Sequence, residues 1–246
     1  MNLINICNIT KIYHTKSKEI KALDNISIAI EDNKIISIVG PSGCGKSTLL
    51  NIITGSEQPS TGTIRENRKL NIGYMMQTEA LLPWLTVFEN ACLGLDLKKI
   101  KTKESINYVN DLLKKYGLYE FKDEYPNNLS GGMRQRLALI RVLAIRPNIL
   151  LLDEPFSKLD CETRKNISND VYKIIKELNI TTILITHDIE EAISLSDNII
   201  LLTKRPGRIK AIYKLNFDET ILPSTRKKDE IFDTLYDDIW RNIDHD

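Results

Sequence analysis

Three short stretches of this chain carry residue types spaced for phosphate chemistry. Gly40 to Ser47 reads GPSGCGKS and satisfies G-x-x-x-x-G-K-[ST]. Gly43 and Gly45 let the backbone curl until its N–H groups point inward at a β-phosphate, with Gly40, Pro41, Ser42 and Cys44 completing the loop. In such a loop Lys46 reaches the β- and γ-phosphates and Ser47 offers its hydroxyl to Mg²⁺. Thr48 opens the helix below the α-phosphate. Leu129 to Arg136 reads LSGGMRQR, a serine and two glycines ahead of a helical run. Its free N–H groups and helix dipole both favour an anion, and Ser130 also reads as an ordinary helix N-cap. In NILLLDEP an apolar strand delivers Asp153 and Glu154 to its carboxyl end, where open α/β sheets bind their ligands. Asp153 is placed for a Mg²⁺ shell, and Glu154 can polarise a water as general base.

These residues need a scaffold, and the hydrophobic pattern supplies one. LINICNITKIY alternates as a strand, and ISIAIEDNKIISIVG reads as a hairpin whose second arm runs into Gly40. An antiparallel layer therefore precedes the loop. Lys46 to Ile53 has helical spacing and NIGYMMQ returns to a strand, the strand–loop–helix context that a phosphate loop demands. Between about Thr86 and Ala144 the pattern is almost wholly helical, so a helical subdomain of about 86–145 is expected within the α/β body. NILLLDEP, TTILITHD and NIILLTK are continuous apolar runs, as in strands buried on both faces of a parallel sheet. The tail from PSTRKKDE reads as one capped amphipathic helix of about 224–243. The expected fold is a single α/β domain over 1–246: a P-loop NTPase core with a mostly parallel sheet, an N-terminal antiparallel β layer and an inserted helical subdomain.

Composition narrows the setting. The 34 basic and 33 acidic residues leave a formal charge of +1, so no global basic field gathers nucleic acid, which is not an expected partner. Cys7, Cys44, Cys92 and Cys161 form no CxxC pair, which fits neither a zinc site nor a compact disulfide framework and points to a reducing cytosol. Cys44 sits among N–H groups at a helix start, so a reactive thiolate is expected there. The N-terminus has no secretory pattern, and no apolar run approaches the roughly 20 residues that span a bilayer.

The phosphate loop, a mid-chain Gln77, LSGGMRQR, LLLDEP and THD, in this order, resemble the ATP-binding subunit of ABC transporters over nearly the whole chain. The resemblance implies ATP and Mg²⁺ as cofactors and a head-to-tail dimer with a second copy. In it, Ser130 and the N–H groups of Gly131 and Gly132 hold the γ-phosphate on the partner's loop. It also implies that Tyr13 stacks on adenine, that Gln77 contacts Mg²⁺ or the attacking water and senses a membrane partner, and that His187 is the switch histidine on the γ-phosphate. Asp160 falls in the loop that touches the opposing site, where Lys158 stands in place of the family's usual alanine. From the residues alone, Tyr13 also reads as a strand residue packing in the sheet, and His187 as a structural histidine after a strand. TEALLPWLTVFENACLGL and KRPGRI (Lys204 to Ile209) are similar to the nitrate/sulfonate/taurine-type importer ATPases, a group with relatives serving thiamine-precursor uptake. That implies an integral membrane permease, indirectly a solute-binding protein, and peripheral residence on the cytoplasmic face of the membrane. Leu82, Pro83 and Trp84 then form a notch for the permease, with Trp84 as anchor, or else pack within the helical subdomain. The rival reading is a soluble ABC ATPase acting on nucleic acid or ribosomes. It calls for long heptad segments or tandem copies, and the sequence has neither.

Overall fold

The computed structural model describes residues 1–16, 18–157, 159–218 and 220–243. They fall into two compact units, one of Met1–Leu70 with Ser168–Asp246, the other of Asn71–Ile167.

The first unit begins with β1 (Asn2–His14) and β2 (Glu19–Glu31), which pair antiparallel. Ile26, Ile28 and Ile30 are buried while Ser27 and Ala29 are exposed, the alternation of a strand with one wet face. The chain then turns at Asn33, with φ of 58°, into β3 (Ile35–Val39), continues through α1 (Lys46–Ile53) and returns as β4 (Thr61–Glu66) on the free edge of β1. The expected hairpin between β2 and β3 does not form. All five residues of IISIV are buried, so β3 needs cover on both faces, and it takes parallel neighbours instead.

The second unit opens with β5 (Ile72–Met75), followed by α2 (Val87–Leu97), α3 (Lys103–Lys115) and α4 (Gly131–Leu143), and closes its parallel pair with β6 (Ile149–Asp153). Thr86 and Glu89 form a reciprocal capping box on α2, and Thr102 and Ser105 do the same on α3. The helical stretch expected from the sequence is thus three α-helices with their own start signals, with two short 3-10 turns, Tyr119–Phe121 and Pro126–Asn128, between the second and third. The next helix, α5 (Cys161–Glu177), divides its residues between the units.

Back in the first unit, β7 (Thr181–Ile185), α6 (Ile189–Leu195), β8 (Asn198–Leu202) and β9 (Ile209–Lys214) follow. β7 and β8 flank β3 in parallel, and β9 closes the edge antiparallel to β8. The tail forms two helices, α7 (Pro223–Arg226) and α8 (Glu230–Asn242), rather than one. Arg226, only 2% exposed, donates to the Ser196 carbonyl at 3.1 Å and the Tyr172 hydroxyl at 2.8 Å, with its guanidinium against the Tyr172 and Phe217 rings. Phe232 and Ile239 are buried with Val39, Ile193 and Leu201. At about 100° per residue, an unbroken helix would carry Arg226 about 120° around from Phe232. The break, restarted by the Asp229 cap on the Ile231 N–H, lets both face inward.

Arg226→Ala removes two hydrogen bonds and two ring contacts from a buried site. It should lower stability by about 2–4 kcal/mol in urea denaturation. Arg226→Lys should recover less than half of that, because one ammonium cannot reproduce the planar fork.

Candidate functional site

The loop after β3 owes its shape to three glycines in the left-handed region, with φ of 156° at Gly40, 72° at Gly43 and 109° at Gly45. Gly45 is the N-cap of α1 and supplies no side chain to occupy the first N–H groups of the helix, which suits an anion there. The Lys46 side chain bends back into the loop, its ammonium donating to the carbonyls of Gly40 at 2.7 Å and Pro41 at 3.0 Å. Ser42, Gly43 and Ser47 are exposed and Thr48 is half-buried, so the cradle opens outward.

Neighbours in the same unit hold the loop from behind. A Cβ added at Gly45 would lie 2.6 Å from Leu23 Cδ2, and one at Gly207 only 2.2 Å from the Cys44 carbonyl oxygen. Gly207 exchanges hydrogen bonds with the β2 backbone, donating to Ala22 O and accepting from Asp24 N, both at 2.9 Å. Arg208 clasps the Asp24 carboxylate at 2.5 and 2.7 Å and holds that carboxyl below its ordinary range. The KRPGRI stretch, read from the sequence only as a mark of a subgroup, is therefore the back wall of the loop.

Cys44 lies in that wall, fully buried, and its reading as a reactive thiolate is overturned. Burial raises the thiol pKa by more than the nearby Lys46 ammonium and the backbone N–H groups lower it. Its role in the loop is that of a small apolar residue.

His187, also in the first unit, stands exposed just after β7. Its neighbours are fixed. Asp188 accepts from Glu191 N at 3.1 Å as the cap of α6, and the buried Thr186 hydroxyl donates to Glu191 Oε2 at 2.9 Å. Tyr13 near the end of β1 donates its hydroxyl to Glu57 Oε2 at 2.6 Å and lies 3.4 Å from Thr48 Oγ1.

The second unit gathers the carboxylates. Asp153 ends β6, and the Tyr74 hydroxyl of β5 donates to its Oδ2 at 3.3 Å. Burial and that carboxylate push the Tyr74 phenol up to about 12. Glu154 adopts φ of 46°, a left-handed conformation that costs a non-glycine residue about 1–3 kcal/mol. Its Oε2 accepts from Gln77 Nε2 at 2.8 Å. The turn is held by Gln135 of α4, a buried amide that donates to the Pro155 carbonyl. The structure thus brings Gln77 and Glu154 together across 77 positions of sequence. Tyr74 and Gln135, which their sequence contexts do not single out, are the groups beside them.

Ser130 caps α4 by accepting from Met133 N at 3.3 Å and is itself exposed. Gly131 and Gly132 begin the helix, and a Cβ on Gly132 would lie 3.1 Å from Thr163 Cγ2. Asp160 accepts from Thr163 N at 3.0 Å, which keeps its carboxyl below the usual range. Lys158 lies outside the described residues. The loop carrying Leu82, Pro83 and Trp84 is pinned by the fully buried Asn90. That amide accepts from Leu82 N and donates to the carbonyls of Leu82, Leu85 and Thr86, at 2.9 to 3.0 Å. Trp84 itself is 69% exposed.

The Ser47 hydroxyl, the Gln77 amide oxygen and the Asp153 carboxylate are hard oxygen donors. Gln77 bonds Glu154 through its nitrogen, which leaves its oxygen as the metal-type donor. Oxygens of this kind are the donor type that Mg²⁺ takes, with one or two carboxylates and a shell completed by substrate phosphates and water.

Comparisons with known proteins identify the family. The family described as "ABC transporter" matches residues 23–157. The chain is 41% identical to the uncharacterized ABC transporter ATP-binding protein YtlC of Bacillus subtilis, over 99% of this chain and 96% of that one. It is 40% identical to the nitrate import ATP-binding protein NrtC of Synechococcus elongatus, over 87% of this chain and 33% of the longer relative. A solved dimeric ATP-binding cassette in a post-hydrolysis state with ADP and Pi superposes with a TM-score of 0.75 at 32% identity. That match covers 87% of this chain and all of the other.

The thiols offer a direct check of the loop's packing. Cys161 is exposed, whereas Cys44 and Cys92 are buried with raised pKa values, that of Cys92 at about 11. Iodoacetamide at pH 8 should alkylate Cys161 at least about tenfold faster than Cys44, read by peptide mass spectrometry. Equal rates would mean that the loop is not packed as described.

Proposed function

The chain belongs to the ABC transporter family of ATP-binding proteins and is an ATPase, and on that premise we propose that it powers an importer through a separate membrane permease. The observation that carries the catalytic part is the Gln77–Glu154 hydrogen bond at the end of the β6 strand, with Glu154 held in the left-handed region. Glu154 accepts the proton of the attacking water, and Gln77 orients that carboxylate. Lys46 and the N–H groups from Gly40 to Thr48 bind the phosphates, Tyr13 takes the adenine and His187 contacts the γ-phosphate. Ser47, Asp153 and Gln77 are the residues that would hold Mg²⁺, and the ion would supply neutralisation of charge on the phosphates.

Two copies act head to tail, each giving Ser130, Gly131 and Gly132 to the nucleotide on the partner's loop and meeting it also through Asp160. The dimeric state of the solved cassette supports this. Among the described residues no helix is long and apolar enough to cross a membrane. In this reading attachment is peripheral, through the permease, with exposed Trp84 as the docking anchor. The import role of the nitrate relative supports uptake of a small solute, nitrate-, sulfonate- or taurine-like or a thiamine precursor, selected by a binding protein and the permease. No observation favours action on nucleic acid or ribosomes.

Glu154→Gln should still bind ATP while hydrolysis falls by about 10² to 10⁴-fold, and it should accumulate as an ATP-bound dimer in sedimentation. Near-normal turnover would remove Glu154 from the mechanism. Shared sites predict a second result. Lys46→Ala and Ser130→Arg chains, each inactive alone, should regain ATPase activity when mixed, because one composite site of the heterodimer is then intact. Crosslinked heterodimers that stay inactive at every mixing ratio would argue against sites shared between chains.

A further inference from the structure

Glu57, just after α1, lies outside every motif that the functional reading uses, yet it joins a polar cluster tied to the first turn of α1. Its carboxylate accepts from the Tyr13 hydroxyl at 2.6 Å through one oxygen and pairs with Lys11 Nζ at 3.0 Å through the other. Lys11 also donates to the Gln58 carbonyl at 2.7 Å, and its ammonium stands 5.1 Å from the centroid of the Tyr13 ring. The Lys11 and Glu57 side chains are only 14% and 22% exposed, so this is not a solvated surface pair. Tyr13 Oη lies 3.4 Å from Thr48 Oγ1, which ties the ring to the first turn of α1.

A tyrosine on a strand normally turns about its side-chain bonds among several wells. Here the hydroxyl is fixed at one end and a cation covers one face. A base can therefore stack only on the face opposite Lys11, at a tilt already set before it arrives. We propose that Glu57 is a positioning residue for nucleotide binding, which acts by orienting Tyr13 as a one-sided platform for the base, with Lys11 as the cation that blocks the other face. The inference rests on Tyr13 as the adenine contact. Lys11 has a second anchor in the Gln58 carbonyl, so the effect assigned to Glu57 runs through the tyrosine hydroxyl.

The test is a double-mutant cycle read by calorimetric binding of Mg-ATP and, separately, of inorganic tripolyphosphate, which has no base. Tyr13→Ala should weaken ATP about tenfold and leave tripolyphosphate unchanged. Glu57→Ala should weaken ATP about three- to tenfold, again without effect on tripolyphosphate, and Glu57→Gln, which keeps an acceptor for the hydroxyl, should recover most of the loss. In the Tyr13→Phe background Glu57→Ala should have no further effect, because the bond it acts through is already gone. An equal loss in both backgrounds, a parallel loss of tripolyphosphate binding, or ATP binding by Glu57→Ala at the native level would each overturn the proposal. Unchanged ATP binding by Tyr13→Ala would instead overturn the adenine contact on which it stands.

Discussion

A loop that binds phosphate through peptide N–H groups cannot also use those groups to hold itself together. This constraint shapes much of the first unit. The curl from Gly40 to Gly45 makes few bonds of its own, one being Cys44 N to Pro41 O at 3.3 Å. Its order comes from outside, from Leu23 and Ala22 against Gly45 and from Gly207 against Cys44. The Lys46 ammonium bonds the two carbonyls that point back into the curl. Glycine is required at Gly45 twice over, by its φ and by the lack of room for a Cβ. At Gly207 close approach alone is sufficient reason.

The same economy governs the carboxylates of the second unit. A strand end is a poor place to hold two acidic side chains in fixed directions, since the backbone leaves the sheet there. Asp153 is steadied by a tyrosine from the adjacent strand, Glu154 by the Gln77 amide, and the turn between β6 and α5 by Gln135 through Pro155. Tyr74 and Gln77 each meet a carboxylate oxygen as a hydrogen-bond donor.

What could be read from the sequence follows a physical division. The phosphate loop, the Ser130-capped helix α4 and the buried parallel strands are local, because their glycines, caps and apolar runs signal themselves within a few residues. The errors came where a distant partner decides. IISIV pairs with β7 and β8 rather than with its nearest strand because its second face also had to be covered. The tail breaks at Lys227 to Asp229 because Arg226 finds Tyr172 and Ser196. Cys44 has the sequence context of a reactive thiol and the burial of an inert one, and burial is set by residues as distant as Gly207. Tyr74, Gln135 and Glu57 could not be singled out, since each matters only for what it touches, 20 to 79 positions away.

The segment around Trp84 has a mechanical property that its exposure conceals. Asn90 on α2 binds four backbone groups of Leu82, Leu85 and Thr86, and Arg141 on α4 binds the carbonyls of Ala80 and Glu79 at 2.7 and 2.5 Å. A loop stitched at both ends to two helices does not bend when pushed. It is a stiff link, and a load on Trp84 is delivered to α2 and α4 instead of being absorbed as loop motion. The far end of α4 begins at Ser130. The exposed indole, the 79–86 segment and the helix that Ser130 caps thus belong to one hydrogen-bonded body.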